Sequence, residues 1–343
     1  MEQYGALDAS LGAVSICALE ADGAVAAEGV TALQAEAIAA FVRLRAPRLV
    51  ALGLETGPFT VGLAHRLRAL GLPVAVLEAR HANRVLKAMS RHKSDLKDAR
   101  GLAELVRLSA YKPVALKSLE ASELRAVLAA RGLLIKQEVQ LAAQLRGLLR
   151  GLGLSAPKGR GAAFAQAVRA SLAARPDFAL LAEAAAALLA ALAELARRSA
   201  GLDRLVKRLA GARAEARLLM SAPGIGPVCA LGFLAAVEDP SRFRSGEALA
   251  AWLGLVPRRR QSGAMDRMAG VGREGDKRLR ALLYEAGQVL LHRVGRWSKL
   301  KAWGLKLARR VGQKKAAVAL ARKLAILLYA LLKRGEPFRW AQA

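Results

Sequence analysis

The sequence predicts an α/β domain at its amino end, a long helical segment in the middle and a mainly α, strongly basic domain at its carboxyl end. Three observations carry this. Short apolar runs alternate with helical spacing over roughly the first 112 residues. The next hundred or so lose their β-branched residues and are dominated by Glu, Arg, Gln, Ala and Leu. The last quarter gathers the charge, with 22 Lys and Arg against 5 Asp and Glu over residues 257–343. The expected domains are residues 1–115, 116–215 and 216–343.

In the first domain, residues 4–7, 13–19 and 24–30 are apolar runs parted by turn signals such as Ala21-Asp22-Gly23, and they predict a meander of three strands. Residues 31–45 have helical spacing, and 48–54 predict a buried strand ending at Glu55. Gly57-Pro58 breaks the chain. A helix over 59–70, a strand over 72–77 and helices over 81–89 and 96–108 follow. The order β-β-β-α-β-α-β-α is that of an RNase H-like domain.

In the middle, Val127, Leu134, Leu141, Leu145 and Leu148 form an apolar stripe. Residues 151–161, rich in Gly, interrupt it. A second helix is expected over 164–209, bent near Pro176. Two long helices joined by a short break predict an antiparallel hairpin, read as a coiled-coil dimerisation arm because its Ala/Leu faces need a partner. Residues 178–196 come nearest to a membrane span, but Glu183 and Glu194 interrupt them, so they read as a buried or coiled helix. The third block opens with Pro223-Gly224-Ile225-Gly226, a turn like that of a helix-hairpin-helix, whose backbone N–H groups can hold a phosphate. A helix near 246–253, a polar glycine-bearing stretch over 257–275 and basic helices complete the chain.

A net charge of +28 on 343 residues marks a polyanion binder, and 54% hydrophobic residues mark a folded one. Cys17 and Cys229 stand far apart in apolar runs; they predict buried thiols in a reducing compartment, with no disulfide or zinc spacing. The amino end lacks a basic region followed by an apolar core, so a cytoplasmic protein without membrane association is expected.

The acids are the chemical signal. Asp95 and Asp98 share a helix face inside Lys93-Ser94-Asp95-Leu96-Lys97-Asp98-Ala99-Arg100. Two carboxylates so close repel each other unless a cation lies between them. Asp8 follows a strand and Glu55 ends one, at the edge where open α/β sheets place ligands. Each alone also reads as a turn former or a helix start. In the order strand-Asp, strand-Glu, helix-Asp-x-x-Asp they suit a hard divalent metal, Mg²⁺, working on a phosphate backbone. Arg91, His92 and Lys93 lie in the adjoining basic run and can touch phosphate.

Ser262 follows Arg258-Arg259-Arg260-Gln261. Arginines clamp phosphate and steady developing charge, and a hydroxyl beside them can attack a phosphodiester once its proton is removed. No histidine stands near it in sequence, and Ser221, Ser241 and Ser245 are rivals. Lys277, Arg278, Arg280 and the pair Lys314-Lys315, with Arg322-Lys323, read as phosphate-facing cations. Trp297, Trp303 and Trp340 interleave with Lys299, Lys301, Lys306 and Arg339; rings among cations stack bases or pack a small core. His65, His81 and His292 read as structural or exposed.

These residues resemble the DEDD transposases of insertion sequences, the bridge-RNA-guided recombinases. Carrying the likeness are Leu7-Asp8-Ala9-Ser10, Gly53-Leu54-Glu55-Thr56-Gly57, Lys93-Ser94-Asp95-Leu96-Lys97-Asp98-Ala99 and Pro223-Gly224-Ile225-Gly226. Phe243-Arg244-Ser245, Leu253-Gly254-Leu255-Val256-Pro257, Gln261-Ser262-Gly263 and Gly275-Asp276-Lys277-Arg278-Leu279-Arg280 continue it. The resemblance spans almost the whole chain, although residues 156–209 are too Ala-rich to align. It implies a RuvC-like domain holding Mg²⁺ on Asp8, Glu55, Asp95 and Asp98. It makes Ser262 the nucleophile that becomes linked to DNA. It further implies a homodimer or homotetramer in a prokaryotic cell, acting at the nucleoid, whose subunits share the site through the arm. Target and donor DNA pair with a structured guide (bridge) RNA. The residues alone leave three other readings open: a junction-resolving nuclease in which water attacks, a non-enzymatic helix-hairpin-helix DNA binder, and a membrane-surface protein.

Overall fold

The computed structural model describes residues 1–89, 95–262, 265–272 and 275–340. It divides into two compact units, Met1–Ser122 and Glu123–Ala343.

In the first unit the chain runs β1 (Gln3–Ala9), β2 (Ala13–Glu20), β3 (Val25–Ala32), α1 (Ala35–Arg45), β4 (Leu49–Glu55), α2 (Thr60–Ala69), β5 (Val74–Leu77), α3 (Ala79–Met89) and α4 (Asp95–Arg107). The expected order holds element for element. The sheet has five strands in the order β3-β2-β1-β4-β5. The β1–β2 and β2–β3 pairs are antiparallel, and β1–β4 and β4–β5 are parallel. The β2–β3 turn works because Gly23 adopts φ 92° and Asp22 Oδ1 accepts a hydrogen bond from the Ala24 N–H at 2.9 Å. One boundary moves: Thr31 and Ala32, expected to open the first helix, pair with Val14 and Ala13 and extend β3.

Strand alternation gives the sheet two faces. Leu7, Val14, Ile16, Leu52 and Leu54 pack against α1 and α2 on one side. Ala6, Cys17, Leu19 and Leu77 pack against Ala99, Leu102, Ala103 and Val106 of α4 on the other. The helix comes close because Gly53 has no side chain; a Cβ there would lie 2.5 Å from Val106 Cγ2.

The second unit holds α5 (Leu119–Gly151), α6 (Ala162–Ala173), α7 (Ala179–Ala212), α8 (Ala214–Met220), α9 (Pro227–Val237), α10 (Gly246–Trp252), β6 (Pro257–Ser262), β7 (Met265–Val271), α11 (Lys277–His292), α12 (Lys299–Val311) and α13 (Gln313–Arg334). α5 begins at the close of the first unit. The 33 residues of α5 and 34 of α7 make helices about 50 Å long. They run antiparallel: Leu128 meets Val206 and Ala210, Arg131 pairs with Asp203, and Ala142 and Leu145 share a cluster with Leu189 and Leu192. The expected second helix is in fact two, because α6 ends before a short 3-10 turn at Pro176–Phe178 and packs Phe164, Val168 and Leu172 into the same cluster. The segment Pro176–Ala212 is long and apolar enough by composition to cross a membrane, with 17% of its most apolar window buried. A further correction concerns residues 257–275, expected as a polar, glycine-bearing stretch without strands. Residues 257–262 and 265–271 pair as the antiparallel strands β6 and β7, with Ser262 opposite Met265.

Candidate active site

The register of β1 and β4 places the first two acids. Leu7 lies opposite Leu54 in a parallel pair, so Asp8 and Glu55 are the next residues on neighbouring strands, whose spacing is about 4.8 Å. Both alternate onto the face that carries Tyr4, Ala6 and Ala51, the face α4 covers. Glu55 is partly buried and its Oε1 is shut off from solvent. The Thr60 hydroxyl donates to the Glu55 carbonyl at 2.5 Å and accepts from Gly57 N–H at 2.6 Å, while Thr56 Oγ1 accepts from Ala79 N–H at 3.1 Å. These bonds fix the turn that ends β4.

The polarity of α4 shows which way its amino end runs. Arg107, at its carboxyl end, donates to the Ala21 carbonyl at 2.9 Å, in the β2–β3 turn. That turn lies at the level where β1 begins, because Glu20 pairs with Gln3. The helix therefore runs opposite to β1. Its backbone reaches back about 14 Å to Asp98 and about 18 Å to Asp95. Over the same span β1 advances about 17 Å from Gln3 to Asp8. α4 thus runs toward the end of the sheet that bears Asp8 and Glu55, and Asp98 in its first turn is half-buried. The Asp95 side chain lies outside the described ones, as do Arg91, His92 and Lys93. Among the described residues, no three His, Cys, Asp or Glu side chains are close enough to hold a metal. The donor chemistry of the set is all carboxylate oxygen, which fits a hard divalent cation rather than zinc.

Elsewhere in this unit, His65 Nε2 lies 2.8 Å from the Lys117 carbonyl, as a structural histidine would. His81, in the first turn of α3, has a buried Nδ1 with no hydrogen-bond partner among the described residues. No spacing signal in the sequence marks it.

In the second unit Ser262 ends β6, on the strand that carries Arg258, Arg259 and Arg260. The side chains of these four residues lie outside the described ones. The three rival serines all serve the fold. Ser221 Oγ donates to the Leu218 carbonyl at 2.6 Å and accepts from Phe338 N–H at 2.8 Å. Ser241 bonds Asp239, and Ser245 caps α10 by accepting from Ala248 N–H at 3.1 Å.

Gly224, φ 80°, turns the chain between α8 and α9, where a Cβ would lie 2.6 Å from the Ala286 carbonyl of α11. Gly226 caps α9, and Pro227 at its first position removes one of the N–H groups expected to face a phosphate. Lys277 and Arg278 are exposed at the start of α11, while Arg278 and Arg280 donate to the Arg125 and Leu253 carbonyls at 3.0 Å each. Asp276 caps that helix, accepting from Leu279 N–H at 2.9 Å, and pairs with Arg125. Burial pushes its carboxyl up, but the Leu279 N–H and Arg125 outweigh burial and hold it below the usual range. Lys314 and Lys315 are exposed in the first turn of α13. Two lysines there oppose the helix dipole, so their placement is not explained by helix stability.

A net charge of +28 on a folded chain defines a protein that works on a polyanion. Comparison with known proteins agrees. Residues 6–153 match the DEDD transposase model for IS110, and residues 216–302 match the model for the transposase IS116/IS110/IS902 family. The transposase for insertion sequence element IS1111A of Coxiella burnetii is 30% identical over 79% of this chain and 74% of its own length. A probable family 20 transposase of Pseudomonas aeruginosa is 31% identical over 80% and 82%. A pilin gene-inverting protein of Moraxella bovis is 32% identical over 36% and 38%. The chain belongs to the IS110/IS116/IS902 family of DEDD transposases. As a transposase it cleaves and transfers DNA.

Proposed function

We propose that this transposase cuts and rejoins DNA strands with the Ser262 hydroxyl as nucleophile and with Asp8, Glu55, Asp95 and Asp98 as one metal-holding set in a RuvC-like domain. The reading rests on one observation above the others: β1–β4 register sets Asp8 beside Glu55 at one sheet edge, and α4 runs toward that edge. Mg²⁺ bound there would polarise the scissile phosphate and neutralise developing charge.

Ser262 Oγ attacks phosphorus as its proton leaves. The serine–phosphate bond forms while the bond to the departing deoxyribose oxygen breaks, and that oxygen takes up a proton. The phosphodiester energy is kept for rejoining. Arg258, Arg259 and Arg260 steady the charge on the phosphate. The structural bonds of Ser221, Ser241 and Ser245 leave Ser262 as the serine of this region best suited to attack.

The wider reading has residues 1–115 as the catalytic domain, 116–215 as a dimerisation arm and 216–343 as the domain that brings the serine. Leu133, Val139, Leu148 and Leu180 are exposed along α5 and α7, which supports a homodimer or homotetramer. Target and donor DNA are the substrates. A structured guide RNA, suited to the excess of positive charge, selects them by base pairing in the cytoplasm of the cell.

The test is a search for a covalent protein–DNA adduct. Purified chain is incubated with DNA carrying the element's ends, its guide RNA and Mg²⁺, then denatured. An adduct that Ser262→Ala abolishes and Ser245→Ala keeps is expected. Recombination at the parental rate by Ser262→Ala would end the proposal and favour water as nucleophile.

A further inference from the structure

A cavity of about 700 Å³ opens in the carboxyl-terminal helices, lined in part by Trp303, Phe338, Trp340, Lys299, Lys323 and Arg339. Its volume falls in the range of small-molecule ligand sites. Most of its wall lies beyond residue 302, past both segments that match the family models.

The wall is built from flat rings held among cations. Phe338 and Trp340 pack edge to face with centroids 5.3 Å apart. The Arg296 guanidinium stands 4.6 Å from the Trp340 ring, and Lys323 Nζ stands 5.7 Å from that of Trp303. The strand of chain that brings Phe338 and Trp340 is tied down by the hydrogen bond from Phe338 N–H to Ser221 Oγ at 2.8 Å. Trp303 nevertheless keeps 38% of its surface exposed, which a ring serving only as core would not.

Charge selects the occupant. Among the described residues, no Asp or Glu lines the cavity. Residues 293–340 carry 14 Lys and Arg and one acid, Glu336, which pairs with Arg339 at 2.9 Å. An apolar peptide would gain nothing from this field. A nucleotide gains twice, because its base stacks on indole and its phosphates meet the cations.

We propose that this cavity binds an unpaired nucleotide, stacking its base on Trp303 and Trp340 with Lys299, Lys323 and Arg339 at its phosphates. Single-stranded DNA and a single-stranded segment of RNA share the recognised chemistry. The site is independent of whether Ser262 or water attacks the DNA.

The test measures binding of the full-length chain to a short oligodeoxyadenylate, the matching RNA, a duplex of the same length, and a single strand whose bases have been removed. Trp303→Ala and Trp340→Ala are each expected to weaken single-strand binding about 5- to 150-fold. They should leave the salt slope unchanged, since no charge is removed. Duplex binding should be untouched, and Trp340→Phe should restore most of the loss. Trp297→Ala, outside the cavity with its ring 57% exposed, serves as control. Whichever of DNA and RNA shows the larger loss identifies the natural source. Parental single-strand binding by both alanine variants would overturn the proposal. So would equal losses on single strand and duplex, or a base-free strand bound as tightly as the intact one. Because Trp340 lies in an irregular terminal segment, its variants keep the test open if Trp303→Ala does not fold.

Discussion

Replacing Gly53 with alanine puts a methyl group 2.5 Å from Val106 Cγ2, with Leu77 Cδ1 at 3.3 Å and Ala6 Cβ at 3.4 Å on its other sides. Carbon atoms prefer about 3.5–4.0 Å, so the shortfall against Val106 is about 1–1.5 Å. Valine is stiff at χ1 and Val106 is only 3% exposed, so it cannot swing clear. The relief is for α4 to move off the sheet. Overpacking of this kind costs about 1–3 kcal/mol. It also carries Asp95 and Asp98 away from Asp8 and Glu55, and a misplacement of about 1 Å costs on the order of 100-fold in rate. Urea melts and strand-cleavage rates on the same preparation give both numbers. The double variant Gly53→Ala/Val106→Ala removes the clashing atom and should recover much of the rate while adding a small cavity penalty. Parental stability and cleavage in Gly53→Ala would refute the close packing of α4 on β4. Full loss of stability without loss of cleavage in the folded fraction would refute its role in placing the acids.

Other consequences follow from the same structure. Asp276→Ala removes a helix cap and a partner of Arg125, and should lower unfolding free energy by about 1–3 kcal/mol at neutral pH. Because the folded-state pKa of Asp276 is depressed, its contribution is complete above the unfolded value, about 3.9, and fades as pH falls through the folded value. The difference between parent and variant should therefore shrink only in acid, and a gap that widens there would contradict the assignment. Burial pushes the thiols of Cys17 and Cys229 up to about 11 and about 12, so neither should react with an alkylating reagent at pH 8 until denaturant is added. Prompt labelling of either in the native protein would show that it is not buried. Lys314→Glu/Lys315→Glu should weaken DNA binding and flatten the dependence of log affinity on log salt by about 2, if both lysines meet phosphate. An unchanged slope would remove them from the interface.

The amino-terminal fold was legible because each element there has its own period. β1, β2 and β4 alternate or bury whole, and the turn at Asp22-Gly23 and the break at Gly57-Pro58 punctuate them. Asp8 and Glu55 could be placed at strand ends for that reason. Their sharing of one face could not, because it depends on pairing register between strands 40 and more residues apart. The strand pair β6–β7 was hidden for the opposite reason. Arg258-Arg259-Arg260-Gln261-Ser262 has no apolar alternation, so only the partner strand makes it a strand. Gly224 read as a phosphate turn from sequence, and its contact with the Ala286 carbonyl shows a packing demand that sequence cannot display. The split of α6 from α7 was masked by uniform alanine, which favours helix everywhere and marks no boundary.

The most direct measurement is Mg²⁺-dependent strand cleavage by Asp8→Asn, Glu55→Gln, Asp95→Asn and Asp98→Asn, set beside DNA binding by the same four proteins. If the four carboxylates form one site, each variant loses cleavage by orders of magnitude while binding DNA within about twofold of the parent. Parental cleavage by any one of them would take that residue out of the site, and parental cleavage by both Asp8→Asn and Asp98→Asn would contradict the account.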